Sequence, residues 1–209
     1  MIRVVLCDDH AVVRRGIRDT LAEAVDIKVV GEAGSYAEVR ELLRSTPCDV
    51  LVLDVNLPGR SGLEVLRSLR EADSPVKVLI VSMYPEDQYA IRCLRAGAMG
   101  YLNKGGDPQA LIAAVRTVAQ GRKYITPEIA ELLANHLQAP ESGELHDSLS
   151  ERELQTLRLI ASGKKLSQIA EALMISPKTV SVYRARVLEK LGLSNNAELT
   201  VYAIRNKLV

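Results

Sequence analysis

The sequence contains no tryptophan and no phenylalanine, and only seven tyrosines among 209 residues. Any core must therefore be aliphatic. Cysteine is scarce too: Cys7, Cys48 and Cys93 lie far apart and form no Cys-x-x-Cys pair. An odd count without a framework argues against a disulfide-stapled secreted domain and fits a reducing compartment. Each sits among apolar neighbours, so all three are expected to be buried structural thiols. No apolar run approaches the ~18 residues of a membrane span, and no basic leader precedes an apolar stretch. The expectation is a soluble cytoplasmic protein with no membrane partner. The formal net charge is only +1 and, taken alone, points to no partner.

The distribution of charge says more. Residues 149–209 carry ten Lys/Arg against five Asp/Glu, a net of +5, whereas residues 1–148 carry seventeen against twenty-one, a net of −4. An acidic body with a basic tail suggests nucleic acid at one end. The length suits two domains.

Along the first 120 residues, two patterns alternate. Short β-branched runs at Ile2–Leu6, Lys28–Gly31, Val50–Leu53, Val76–Val81 and Met99–Leu102 predict strands. Helical patterns at Val12–Ala24, Tyr36–Arg44, Leu63–Glu71, Asp87–Ala96 and Pro108–Ala119 separate and follow them. Five βα repeats predict a parallel sheet with helices on both faces. Next comes one helix from Thr126-Pro127 to about Leu137, then a polar Pro- and Gly-containing stretch, Gln138 to Ser148, that reads as a flexible linker. The last segment is all helical. Ser150 and Glu153 form a capping box, Ser176-Pro177 opens another helix, Gly192 stops it, and Glu198 to Lys207 makes a fourth. The expected domains are 1–121, a linker with one helix over 122–148, and 149–209.

In a parallel α/β sheet, ligands bind beyond the carboxyl ends of the strands. The residues following the apolar runs are Asp8 and Asp9, Asp54 with Asn56 just beyond, Ser82, and Lys104. Three clustered carboxylates repel one another, so a divalent cation is their natural neutraliser. Mg²⁺ suits such a site, taking one or two carboxylates plus waters and phosphate oxygens. One carboxylate can then act as nucleophile toward a phosphoryl donor. Lys104 would stabilise charge on the transferred group, and Ser82 could donate to the new phosphate.

These residues lie in the strings Leu6-Cys-Asp-Asp-His10, Leu53-Asp-Val-Asn-Leu-Pro58 with Gly62-Leu63, and Gly97-Ala-Met-Gly-Tyr-Leu-Asn-Lys104. With them, residues 1–120 resemble a response-regulator receiver domain of the flavodoxin-like (CheY-like) fold, and no motif residue is missing. The resemblance implies phosphoryl acceptance at Asp54. It implies Mg²⁺ binding by Asp8, Asp9, Asp54 and the main-chain carbonyl of Asn56, and switching by Ser82 and Tyr101. The implied donor is a phosphohistidine on a sensor histidine kinase.

The strings Leu149-Ser-Glu-Arg-Glu153, Gln168-Ile-Ala-Glu-Ala-Leu173, Ser176-Pro-Lys-Thr-Val180 and Glu189-Lys-Leu-Gly-Leu193 resemble the LuxR-type helix-turn-helix of the NarL/FixJ class. A recognition helix must pack one face and offer the other to the major groove. Val180, Val187 and Leu191 share the inner face. Lys178, Ser181, Val182 and Ala185 share the outer, with Thr179 beside them at the helix start. Arg184 and Arg186 flank that face and, with Lys164, Lys165 and Lys190, can reach phosphates, which position a domain while base edges specify sequence. Tyr183 stands where many members carry His, and Ser181 and Ala185 where some carry Lys. Base readout is therefore expected to lean on few side chains, on Val182 against a thymine methyl, or on DNA shape.

Together these readings predict a phosphorylation-switched regulator. Ser82 is drawn to the phosphate, Tyr101 turns inward, and a homodimer reads two half-sites of promoter DNA. RNA polymerase is an implied further partner, with activation preferred over repression. Two other classes are weighed. A phosphatase resembling haloacid dehalogenases would need a general acid two residues after Asp54, where Asn56 cannot transfer a proton. A phosphorylation-independent regulator would use the receiver only as a protein-interaction module.

Overall fold

The structure is a computed structural model of the chain, and it describes residues 1–58, 60–138, 145–206 and 208–209. Contacts divide it into two units, Met1–Gln138 and Ala139–Val209.

The first unit alternates β1 (Ile2–Cys7), α1 (Ala11–Ala22), β2 (Ile27–Ala33), α2 (Tyr36–Ser45), β3 (Val50–Leu53), α3 (Gly62–Glu71), β4 (Lys77–Ser82), α4 (Glu86–Ala96), β5 (Gly100–Asn103) and α5 (Pro108–Ala119). The strands form one parallel sheet in the order β2-β1-β3-β4-β5. Alternation of side chains along each strand feeds two cores. Val5, Leu51, Leu53, Val78, Ile80 and Tyr101 pack with α2, α3 and α4 on one face. Val4, Leu6, Val50, Val52, Leu79 and Leu102 pack with α1 and α5 on the other. Burial on both faces is why β3 and β4 read as unbroken apolar runs. Cys7 and Cys93 are buried as expected, but Cys48 is only partly so, because it precedes β3 at the sheet margin.

α6 (Pro127–Gln138) also belongs to this unit. Its sequence reads as part of a linker, yet it packs on α4. Ile129 is fully buried in the core that holds Tyr89, Cys93 and Tyr101, and Thr126 Oγ1 donates to Glu86 Oε2 at 3.0 Å. Just before it, the Tyr124 N–H donates to the Met99 carbonyl at 2.8 Å, and Tyr124 forms a parallel bridge with Gly100. This covers part of the open edge of β5.

The second unit contains a 3-10 turn over Leu145–Ser148, then α7 (Glu151–Ala161), α8 (Leu166–Ala172), α9 (Pro177–Leu191) and α10 (Asn196–Arg205). Most of the expected linker, residues 139–144, and the expected helix end at Lys207 lie outside the described residues. The Ser150–Glu153 capping box forms, and Ser176 caps α9 through the Thr179 N–H. α9 ends at Gly192, whose φ of 65° is the left-handed conformation that glycine adopts at least cost. The last helix starts two residues earlier than its pattern suggests, because Asn195 caps it. Leu154, Leu157, Ile169, Val180, Val187, Leu191 and Leu199 close the core of this unit.

Candidate functional site

The order β2-β1-β3-β4-β5 places the topological switch point between β1 and β3, where the connection reverses direction across the sheet. Asp8 and Asp9 follow β1 there and Asp54 follows β3, the two strand ends being tied by the Asp54 N–H donating to the Cys7 carbonyl at 2.8 Å. Lys104 follows β5, and its N–H donates to the Ser82 carbonyl at 2.8 Å. Four strand ends therefore deliver the acidic residues, Ser82 and Lys104 to one edge.

Lys104 Nζ lies 2.6 Å from Asp8 Oδ2 and 2.7 Å from Asp54 Oδ2, and all three side chains are at most 4 % exposed. Burial works against the charged form of Asp54 and raises its pKa, with Lys104 pulling the other way. Burial also works against the Lys104 ammonium, but the Asp54 and Asp8 charges outweigh it and hold its pKa above the ordinary value. Beneath them, burial and then the charges of Asp54 and Asp8 push the Cys7 thiol up to about 12, so it stays an uncharged floor.

Asp54 Oδ1 is buried with no hydrogen-bond partner among the described residues. Carboxylate oxygens of Asp8, Asp9 and Asp54 and a His10 ring nitrogen all lie within 4.8 Å of one another. An orphaned buried oxygen facing such a set is what a cation site requires, so these residues fit a divalent ion. Ser82 is 1 % exposed, and its Oγ accepts from the Tyr84 N–H at 3.4 Å. Asn56 is half-buried two residues after Asp54.

Tyr101, expected to switch with Ser82, sits inward in this structure. Its ring is fully buried and its hydroxyl donates to the Tyr84 carbonyl at 2.7 Å. The inward position is held by α4 and by Ile129 of α6, the helix whose docking the sequence did not disclose.

Two residues were not assigned roles from sequence. Gly62 opens α3 directly against the acceptor: a Cβ there would stand 2.1 Å from the Asp54 carbonyl oxygen. Its place in the motif was visible, but the close approach was not. His10, directly after the two aspartates, holds Nδ1 2.7 Å from Asp9 Oδ1.

In the second unit, Lys178, Ser181, Val182, Ala185 and Arg186 are exposed along α9, opposite the buried Val180, Val187 and Leu191. Lys178 and Arg186 make no hydrogen bond or ion pair among the described residues. The other expected contacts are partly engaged within the unit. Thr179 Oγ1 lies 2.8 Å from Ser176 Oγ, and Ser181 Oγ donates to the Pro177 carbonyl at 3.0 Å. Arg184 Nε donates to Asn196 Oδ1 at 2.5 Å, and Lys190 Nζ sits 2.6 Å from Glu153 Oε2. Burial tends to raise the Glu153 pKa, but Lys190 and Ser150 more than offset it and the net direction is down.

A parallel sheet with this acidic edge, joined to a helix-turn-helix unit, defines a class. The chain belongs to the two-component response regulators that couple a receiver to a LuxR-type helix-turn-helix: residues 4–116 match the response regulator receiver domain, and residues 147–203 match the bacterial regulatory proteins of the luxR family. Over its full length the chain is 41 % identical to the response regulator UvrY of Escherichia coli K12, covering 96 % of that relative, and 40 % identical to GacA of Pseudomonas aeruginosa, covering 98 %. Among solved structures it resembles one titled as two RcsB dimers bound to two parallel DNAs, at 26 % identity over 96 % of each chain with a TM-score of 0.61. These relatives are regulators and not enzymes, so the phosphatase reading falls. Among the described residues no helix is long and apolar enough to cross a membrane.

Proposed function

We propose that a sensor histidine kinase phosphorylates Asp54 and that the chain then binds promoter DNA as a dimer and regulates transcription in the cytoplasm. The observation carrying this reading is the state of Asp54 itself: one oxygen is held by Lys104 at 2.7 Å, and the other is buried and unpartnered. A carboxylate held by Lys104 keeps a fixed orientation at the strand end, which is what a nucleophile needs.

Asp54 attacks the phosphorus of the donor phosphohistidine. The new O–P bond forms as the P–N bond breaks, and the imidazole leaves with the electron pair and takes up a proton. Lys104 balances charge on the transferred oxygens, and Ser82 turns its hydroxyl to donate to one of them. Asp8, Asp9, Asp54 and the Asn56 carbonyl would hold Mg²⁺, which when bound neutralises the incoming phosphoryl charge. Ser82 also receives the Tyr84 N–H, and the Tyr84 carbonyl receives the Tyr101 hydroxyl. Motion of Ser82 is therefore passed to Tyr101 and to α4, a local charge event biasing a packed element.

On the DNA side, α9 enters the major groove. Lys178, Thr179, Ser181, Val182 and Ala185 face the bases and the near backbone, while Arg184 and Arg186 reach phosphates. Contact with RNA polymerase is part of the same reading. The receiver is taken as 1–121, the connecting segment, whose helix α6 docks on the receiver, as 122–148, and the DNA-binding domain as 149–209.

The test is DNA binding and oligomeric state with and without beryllofluoride and Mg²⁺, in the wild type and in Asp54→Ala. A shift to dimer with tighter DNA binding in the wild type alone supports the proposal. Equal DNA binding in all four conditions overturns it and leaves the receiver as an interaction module.

A further inference from the structure

His10 occupies the N-cap position of α1, yet its side chain makes no capping hydrogen bond. Ser, Thr, Asp and Asn serve that position best, so capping does not account for an imidazole here. The ring turns instead toward the carboxylates. The His10 N–H donates to Asp8 Oδ1 at 2.8 Å, which pins the residue over the pair. From there Nδ1 reaches 2.7 Å from Asp9 Oδ1 and 3.5 Å from Asp8 Oδ1.

Those spacings match neighbouring ligands on one ion. Ligands at about 2.1 Å from a six-coordinate metal stand roughly 3 Å apart along an edge and about 4.2 Å apart across it. The His10 nitrogen and the carboxylate oxygens of Asp8, Asp9 and Asp54 fall within 4.8 Å of one another, so the widest pair draws in by about half an ångström on a shared ion. The unpartnered Asp54 Oδ1, in a side chain 3 % exposed, independently marks the position as one that expects a cation. Lys104 reaches the Oδ2 atoms of Asp8 and Asp54, and Asp8 Oδ1 lies toward His10.

Resting on the reading of this edge as the receiver's divalent-cation site, we propose that His10 Nδ1 is itself a ligand. The site then offers one imidazole nitrogen beside its carboxylates and holds Co²⁺ or Zn²⁺ more tightly than the oxygen-seeking Mg²⁺. Imidazole favours later first-row ions, whereas Mg²⁺ is satisfied by carboxylate, carbonyl and water. His10 is half-exposed at the rim, so the nitrogen can complete the coordination without closing the approach to Asp54.

The test uses the full chain, wild type and His10→Asn, at pH 8. Calorimetric titration with Mg²⁺ and with Co²⁺ gives the two affinities, and proton NMR of the Co²⁺-loaded protein reports the ligands. The expected result is about a tenfold or greater loss of Co²⁺ affinity in His10→Asn, on the scale of lost metal-site interactions. Mg²⁺ affinity should change less than about twofold, since Mg²⁺ needs no nitrogen. Ring protons of one histidine should shift far outside the diamagnetic range in the wild type and be missing in the variant. Equal losses for both ions, or Co²⁺ bound without a shifted histidine, overturn the proposal and make His10 a positioning residue for Asp9. Failure of the wild type to bind either ion overturns the underlying reading of the site as well.

Discussion

Lys104 Nζ sits 2.7 Å from Asp54 Oδ2 at the end of β3, and the same ammonium lies 2.6 Å from Asp8 Oδ2, with all three side chains almost wholly out of water. One cation thus serves two buried carboxylates. Removing one partner of a buried ion pair costs about 3–5 kcal/mol, because the remaining charge is left uncompensated. Lys104→Met should therefore lower Tm by several degrees or more in a metal-free buffer. A divalent cation replaces much of the lost positive charge, so added Mg²⁺ should raise the Tm of the variant more than that of the wild type. Thermal melts of both proteins with and without Mg²⁺ check this; equal shifts would mean that Lys104 and the cation do not share the carboxylates.

Gly62 carries a second constraint on the acceptor. A Cβ at this position would meet the Asp54 carbonyl oxygen at 2.1 Å and the Val55 Cα at 3.0 Å, both backbone atoms that cannot rotate away. The Gly62 N–H also donates to the Val55 carbonyl at 2.8 Å, fixing the turn. Gly62→Ala must push α3 off the end of β3, which costs on the order of 1–3 kcal/mol and displaces Asp54. Denaturation in urea should report the stability loss, and labelling by a small phosphoryl donor should fall at least tenfold, as expected when a reacting group is misplaced by an ångström. Normal labelling in a destabilised variant would separate the packing role from the positioning one.

Much of this was readable from residues, and the limits have physical reasons. Strands buried on both faces leave continuous apolar runs, so β3 and β4 were visible. Caps are local, so Asp107, Ser150 and Ser176 could be placed from a few neighbouring residues. Charged residues after strands pointed to Asp8, Asp9, Asp54 and Lys104 because topology collects strand ends on one edge. Long-range partners leave no such local trace. α6 looks like a linker helix until Ile129 is seen buried beside Tyr101. Lys190 reads as a phosphate contact, but its bond to Glu153, 37 positions away and 2.6 Å distant, leaves no local trace. The inward seat of Tyr101 likewise depends on the Tyr84 carbonyl, whose approach is set by tertiary packing.

Away from the site, Arg3 and Asp49 join the start of β1 to the turn before β3. The Arg3 N–H donates to Asp49 Oδ2 at 2.8 Å, and its guanidinium donates to both carboxylate oxygens at 3.0 and 2.7 Å. These bonds hold the Asp49 pKa down at about 2. A carboxylate whose folded pKa is depressed contributes stability that is present above its unfolded pKa, near ~3.9, and lost as pH falls through the folded value. The wild type should therefore lose stability relative to Asp49→Asn between about pH 4 and pH 2. Urea denaturation midpoints across that range check it: the two curves should converge toward acid. A constant gap would remove Arg3–Asp49 from the acid response.

On the DNA-binding unit, the free and the engaged cations should behave differently. Arg186 is exposed on α9 and makes no hydrogen bond or ion pair among the described residues, whereas Lys190 bonds to Glu153 at 2.6 Å and to the Ser148 carbonyl at 3.1 Å. Each phosphate neutralised contributes about −0.9 to the slope of log affinity against log salt. If Arg186 neutralises one, Arg186→Ala should flatten the slope by roughly 0.9 and weaken binding to all sequences alike. Lys190→Met should leave the slope nearly unchanged and instead lower the stability of the unit by about 1–2 kcal/mol, the scale of a charge-assisted hydrogen bond. Binding isotherms at several salt concentrations, paired with thermal melts, separate the two. A slope change in Lys190→Met equal to that in Arg186→Ala would mean that DNA draws Lys190 away from Glu153, and that the ion pair is a resting contact and not a permanent strut.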